Sequence, residues 1–321
     1  MLKKFLGAAA VACSIGFMAG PANAAFVLEN IQLNFNGIDG LDDTASPGSY
    51  TYSEVDALTF LATVHAVTDD TNGNFLPDAG ETGQVNGFGL ITGFSNNGGI
   101  APSDSGANLL NSGTIPTVPP LHGFELTFQF VDVPIEYVDN DGTFVHTGPS
   151  AGSVGILNMW IDNLSDGSTC QSAMGTAAAN CTDGVLIASY VITPGDGGAF
   201  TFHTFDGSDD ATFASTFLLA GVWFDEFGND LGCDNADIDE ANHCTKILGL
   251  ADSNFDADPQ NTGGFNFDPA SFDCGNTPVD FCASEDGSFV IARIPEPTTL
   301  GLLGIGLAGL GFLSVRRRKQ D

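Results

Sequence analysis

In residues 124–130, Phe124, Leu126, Phe128 and Phe130 alternate with Glu125, Thr127 and Gln129. Successive side chains on a strand point to opposite faces, so this stretch reads as a strand with one buried face and not as an amphipathic helix. Weaker forms of the pattern recur at residues 25–35, 55–67, 87–94, 156–161, 185–193, 199–205, 213–219, 221–224 and 289–294. Turn-forming clusters separate them, such as Asn96-Asn97-Gly98-Gly99 and Asp206-Gly207-Ser208-Asp209-Asp210. Asn140-Asp141-Gly142 is placed to turn a hairpin between Tyr137 and Phe144. Helical periodicity is confined to one short candidate at residues 241–250, and residues 251–287 read as an extended loop layer. Many short strands with rich turns predict an all-β domain, a β-sandwich of jelly-roll type with long loops.

Charge divides the chain into three parts. Between residues 25 and 294, Lys246 and Arg293 stand against 38 Asp and Glu, a net charge of −36; the other six basic residues lie at the two ends. A field of that sign repels nucleic acid and anionic lipid. Nucleic acid is excluded as a partner, while divalent cations, cationic polymers and neutral sugars remain. The 26 Phe and the alternating segments argue for a packed core rather than a disordered acidic chain.

Residues 1–24 read as a signal peptide. Lys3 and Lys4 precede an apolar run, Gly20-Pro21 breaks any helix, and Ala22-Asn23-Ala24 offers signal peptidase a small-x-small cleavage site. At the other end, Pro295, Glu296 and Pro297 are followed by 18 uncharged residues, 298–315, and then by Arg316, Arg317, Arg318 and Lys319. At about 1.5 Å per residue, a helix of that length spans roughly 27 Å, enough for a bilayer core. The basic tail at residues 316–319 stays cytoplasmic and leaves the bulk of the chain outside.

Pro-Glu-Pro, a glycine-rich apolar segment and an arginine cluster, in that order, resemble the PEP-CTERM sorting signal of Gram-negative bacteria. The resemblance implies recognition by an exosortase, a membrane peptidase that removes the tail in organisms making extracellular polysaccharide. Pro295, Glu296 and Pro297 would be the residues recognised, with the cluster at Arg316, Arg317 and Arg318 completing the signal. The expected organisation is a signal peptide (1–24), an acidic extracellular β domain (25–294) and a sorting signal (295–321). The expected route is an inner-membrane-anchored precursor whose mature form sits at the cell surface or outside.

Six cysteines follow the signal peptide, an even number in an oxidising compartment. Pairing nearest neighbours predicts Cys170–Cys181, Cys233–Cys244 and Cys274–Cys282, each bridge contributing roughly 2–3 kcal/mol. A zinc site at Cys244 beside His243 lacks the C-x-x-C spacing that would support it.

The most specific local motif runs from Asp70 to Glu81. Asp70, Asn72, Asn74, Asp78 and Glu81 stand at loop positions 1, 3, 5, 9 and 12, and the Leu76 carbonyl at 7. That is the spacing by which an EF-hand loop wraps hard oxygen ligands around Ca²⁺. Phe75 departs from it by replacing the glycine at position 6, and the flanks read as strands. The same residues also make an ordinary solvated hairpin loop, and the sequence leaves both readings open. A second acidic cluster, from Asp225 to Glu240, lacks any ligand spacing and reads as a solvated face.

Signs of catalysis are weak. Gly148-Pro149-Ser150-Ala151-Gly152 matches the nucleophile-elbow pattern, but a strand pattern follows where a helix is required. The five histidines, His65, His122, His146, His203 and His243, show no metal spacing. Trp160, Trp223 and Tyr190 fall in strand patterns and read as core rather than as sugar-stacking platforms. The leading expectation is an exported structural or adhesive protein of the cell surface or extracellular matrix, without catalysis. Residues 182–193 and 221–231 bear a loose likeness to PEP-CTERM proteins implicated in floc or biofilm formation. The alternatives are a carbohydrate-binding protein that retains exopolysaccharide and a secreted hydrolase using paired carboxylates.

Overall fold

The structure, a computed structural model, describes residues 30–38, 51–96, 99–100, 124–149, 153–163, 170, 181–201, 206–233, 247–256 and 277–293. In chain order the strands begin with β1 (Ile31–Asn34), β2 (Thr51–Val55), β3 (Ala57–Thr68), β4 (Thr82–Asn96) and β5 (Gly99–Ile100). Next come β6 (Phe124–Tyr137), β7 (Thr143–His146), β8 (Ile156–Asn163), β9 (Val185–Ile192) and β10 (Gly197–Phe200). The last are β11 (Gly207–Leu218), β12 (Trp223–Phe224), β13 (Ile247–Asp256) and β14 (Asp280–Arg293).

The expected sandwich is replaced by a closed barrel. Eight antiparallel strands run in the order β6-β8-β9-β11-β13-β14-β3-β4, and β4 pairs back onto β6 from Thr82↔Glu136 to Leu90↔Thr127. Period-two patterning reports one buried face per strand, which a sandwich and a barrel share. The β4–β6 pairing decides between them, and it leaves no edge in that ring. Between β6 and β11 the wall is split. One half is filled by β8 and β9, the other by β7 and β10, with β7 on the C-terminal end of β6 and β10 on the start of β11.

Aromatic residues fill the interior. Phe128 meets Phe60 edge-on at 5.3 Å and lies 6.4 Å from Phe130, centroid to centroid. Room for these rings comes from glycine on the facing strand: a Cβ on Gly87 would stand 2.2 Å from the Phe130 ring, and one on Gly249 only 1.7 Å from Phe289. A small sheet of order β12-β1-β2 packs against the end of the barrel where β6 begins. Phe35 reaches Phe124 at 5.5 Å there, and Tyr52 reaches Phe94 at 4.8 Å.

The outer face of β6 is also covered. Glu125 accepts the Cys170 N–H, and the Thr127 hydroxyl donates to the Cys181 carbonyl at 2.7 Å. The Cys170–Cys181 disulfide packs there with Phe88 and Leu90, forming a second, small core outside the barrel.

Three local expectations need correction. Residues 207–210 belong to β11 instead of a turn, because cross-strand pairing to β13 and β10 overrides the turn propensity of Gly, Ser and Asp. Residues 247–250 are strand, not helix, since β13 sits between β11 and β14. Of the supposed loop layer at 251–287, residues 251–256 and 280–287 are long, paired strand.

Candidate functional site

The calcium-type loop joins β3 to β4 at the end of the barrel away from the small sheet. Asp70 organises it. One carboxylate oxygen accepts the N–H of Gly73 at 2.7 Å and of Asn74 at 3.2 Å, and the other accepts Phe75 N–H at 2.9 Å. The Phe75 bond, with those of Gly73 and Asn74, holds the Asp70 carboxyl below its usual range against a weaker opposing effect of burial. Phe75 itself adopts φ 63°, the left-handed conformation for which glycine is normally used at that loop position. Asp78 accepts from the side-chain amides of Asn72 (2.5 Å) and Asn74 (2.7 Å). Glu81 accepts Thr71 N–H at 2.8 Å and Asp78 N–H at 3.1 Å. Among the described residues, no three His, Cys, Asp or Glu side chains gather into a metal cluster.

Some of the remaining expected sites lie within the described residues and others outside them. Cys170–Cys181 forms, and Cys233 and Cys282 are disulfide-bonded; Cys244 and Cys274 lie outside the described residues. Ser150 of the elbow-like pattern also lies outside them, as do the signal peptide, the 298–315 segment and Arg316–Arg318. Trp223 and Tyr190 are buried in the core, and Trp160 is half-buried. In the second acidic cluster, Asp225 is a buried cap that accepts Phe227 N–H at 2.9 Å and Asn229 N–H at 2.8 Å. Arg293, the last residue of β14, contacts its other oxygen at 3.2 Å. Burial pushes that carboxyl up, but the Asn229 and Phe227 bonds and the Arg293 charge outweigh it and leave the pKa lowered.

The polar group that sequence reasoning missed lies inside the barrel. His146 from β7, Asp209 from β11, Ser253 from β13 and Glu285 from β14 line an otherwise almost wholly apolar cavity of about 80 Å³. His146 Nε2 and Asp209 Oδ1 are 2.9 Å apart, with 1 % of the His146 side chain exposed. His146 Nδ1 makes no hydrogen bond among the described residues. The Pro134 carbonyl, which also accepts Thr147 N–H at 3.2 Å, lies beside His146 and favours the imidazole's protonation. Ser253 donates a short hydrogen bond to Glu285 and lies 3.3 Å from the Asp209 carbonyl.

Burial pushes the Glu285 carboxyl up to about 7; the Ser253 bond and His146 charge oppose the rise, and Asp209 and Asp286 add to it. Burial lowers the His146 pKa, but the hydrogen bond and charge of Asp209 more than reverse this, so it ends raised. The signal for these residues was parity. Phe281, Ala283, Glu285, Gly287 and Phe289 occupy alternate positions of one strand, as do Asp209, Ala211 and Phe213 of another. A polar residue in step with its apolar neighbours faces the interior.

No curated protein matches this chain, and no solved structure matches it. One family model does, the PEP-CTERM protein-sorting motif, over residues 293–319. It starts on Arg293, where the final barrel strand ends. The chain thus carries a PEP-CTERM protein-sorting motif, and the motif implies exosortase-dependent export to the cell envelope.

Proposed function

We propose that the chain is an exported structural or adhesive protein of the cell surface or extracellular matrix, without catalysis, in a polysaccharide-producing Gram-negative bacterium. The observation that carries this reading is the junction at Arg293, where the last barrel strand runs directly into the sorting motif. What the exosortase delivers is therefore a barrel with no spacer between cargo and address. Its acidity suits it to cohesion through divalent cations or cationic polymer, which neutralise a like-charged surface that would otherwise repel its copies. Calcium held by Asp70, Asn72, Asn74, the Leu76 carbonyl, Asp78 and Glu81 would stiffen the end remote from the small sheet.

A second reading, retention of exopolysaccharide, is favoured by Phe75 and Phe227, loop residues that are 62 % and 75 % exposed. Exposed rings are the stacking surfaces that sugar-binding proteins use. Deletion of the gene followed by measurement of cell aggregation and matrix retention tests the leading reading. Loss of aggregation restored by the full chain is expected, and unchanged aggregation contradicts it. Sedimentation of the exported protein with purified exopolysaccharide, abolished in Phe75→Ala or Phe227→Ala, would favour the second reading instead.

A further inference from the structure

We propose that the barrel interior is a binding site for a small, uncharged, mainly apolar molecule carrying one hydrogen-bonding oxygen, which is held between His146 and Glu285. This goes beyond the surface role above and does not depend on it.

The cost of the polar cluster is the first reason. Enclosing ionisable groups costs several kcal/mol each after relaxation, and apolar replacements of the same volume are commonly neutral or stabilising. Nothing in barrel closure requires His146, Asp209 or Glu285, since the same strands pair through backbone groups alone. Groups from separate strands that converge on one cavity at such expense mark a site. The second reason is convergence on the cavity: His146, enclosed and bonded through Nε2 to Asp209, and Glu285, bonded to Ser253, both line it.

Size and charge define the ligand. A cavity of about 80 Å³ exceeds one water's share of roughly 30 Å³ and is about half the roughly 150 Å³ that admits benzene. Molecules of about three or four heavy atoms fit, such as short alcohols and acetone. The wall, which includes Phe128, Met159, Phe213 and Phe289, suits an alkyl chain. A carboxylate ligand would meet Asp209 and Glu285, so the site suits an uncharged one.

Entry is provided for as well. The cavity borders the half of the wall made by β7 and β10, each four residues long and joined to each neighbour by three register pairs. So short a patch opens at lower cost than the long strands around it.

Met159 lies in the cavity wall and reports on its contents. The full chain is made in cells that export it, in medium containing methyl-¹³C-methionine, and the exported protein is titrated with acetone. Met159 is assigned by its loss in Met159→Leu. A saturable shift of the Met159 methyl is expected, weakened about tenfold in Ala211→Leu, which fills the cavity, and weakened also in Glu285→Gln. A shift that is absent, that grows linearly with concentration, or that saturates equally in Ala211→Leu overturns the proposal. Should Ala211→Leu fail to fold, competition on the wild-type signal decides: displacement of acetone by pressurised xenon supports a shared cavity, and independent shifts overturn it.

Discussion

Replacing Glu285 by Gln should change how stability depends on pH. In the folded barrel the Glu285 carboxyl titrates at about 7 in place of 4.5, with burial the main cause. Between those values the folded chain keeps a proton that the unfolded chain has released, so stability falls as pH rises through the window and levels off above it. At 1.36 kcal/mol for each step of pH, the rise from 4.5 to about 7 is worth up to about 3 kcal/mol. The groups facing the carboxyl are Asp209 and His146 across the cavity, Asp286 beside it, and the Ser253 hydroxyl bonded to it. Gln keeps an acceptor for Ser253 and cannot ionise.

Thermal unfolding of wild type and Glu285→Gln between pH 5 and pH 8 is the assay. The two should melt close together at pH 5. At pH 8 the variant should melt higher by about 6–12 °C, taking roughly 2–4 °C for each kcal/mol in a domain of this size. His146 and Asp210, whose pKa values are also raised, titrate in both proteins, so the difference curve reports Glu285 together with its coupling to His146 and Asp209. Parallel pH profiles for the two proteins would refute the assignment of Glu285 as a buried, proton-retaining acid.

Three further outcomes are expected. Addition of about 10 mM Ca²⁺ should stabilise the exported protein by about 1–3 kcal/mol if the 70–81 loop binds with the sub-millimolar affinity usual outside cells; an unchanged melting temperature assigns that loop a purely solvated role. Cys170→Ser with Cys181→Ser should cost about 2–3 kcal/mol in denaturant melts, because their bridge closes a short loop of the chain; no loss would show that the outer core holds without it. Gly249→Ala should destabilise by about 2 kcal/mol or more, since its Cβ would stand 1.7 Å from the Phe289 ring; a melt like that of wild type would contradict the tight glycine–aromatic packing.

Much of the wall was legible. The alternation at Phe124–Phe130 identifies the inward face of β6, and Asn140-Asp141-Gly142 turns the β6–β7 hairpin as its residue types imply. Closure was not legible, because the β4–β6 pairing joins Gly87 to Phe130 and Gly89 to Phe128 across a long sequence separation. Neither residue alone signals a partner, although a glycine opposite a phenylalanine is what close approach requires. The interior cluster was hidden for another reason. Asp209 stands in a run whose composition favours turns, and Ser253 and Glu285 stand in an acidic stretch with few large apolar residues. Only strand pairing reveals that all three share the inward parity of their apolar neighbours. The disulfide at Cys170–Cys181 follows from sequence proximity, but its place over Glu125 and Thr127 follows only from the fold.

The central claim is that residues 293–319 sort the exported acidic barrel to the cell envelope. Fractionation of cells expressing the full chain beside a Pro295→Ala, Glu296→Ala, Pro297→Ala variant tests it most directly. The wild-type barrel should be recovered at the surface or in the medium with its cysteines oxidised, and the variant should accumulate as an unprocessed, membrane-associated form. Wild-type protein found in the cytoplasm with reduced cysteines, or the same distribution for both chains, would contradict the account.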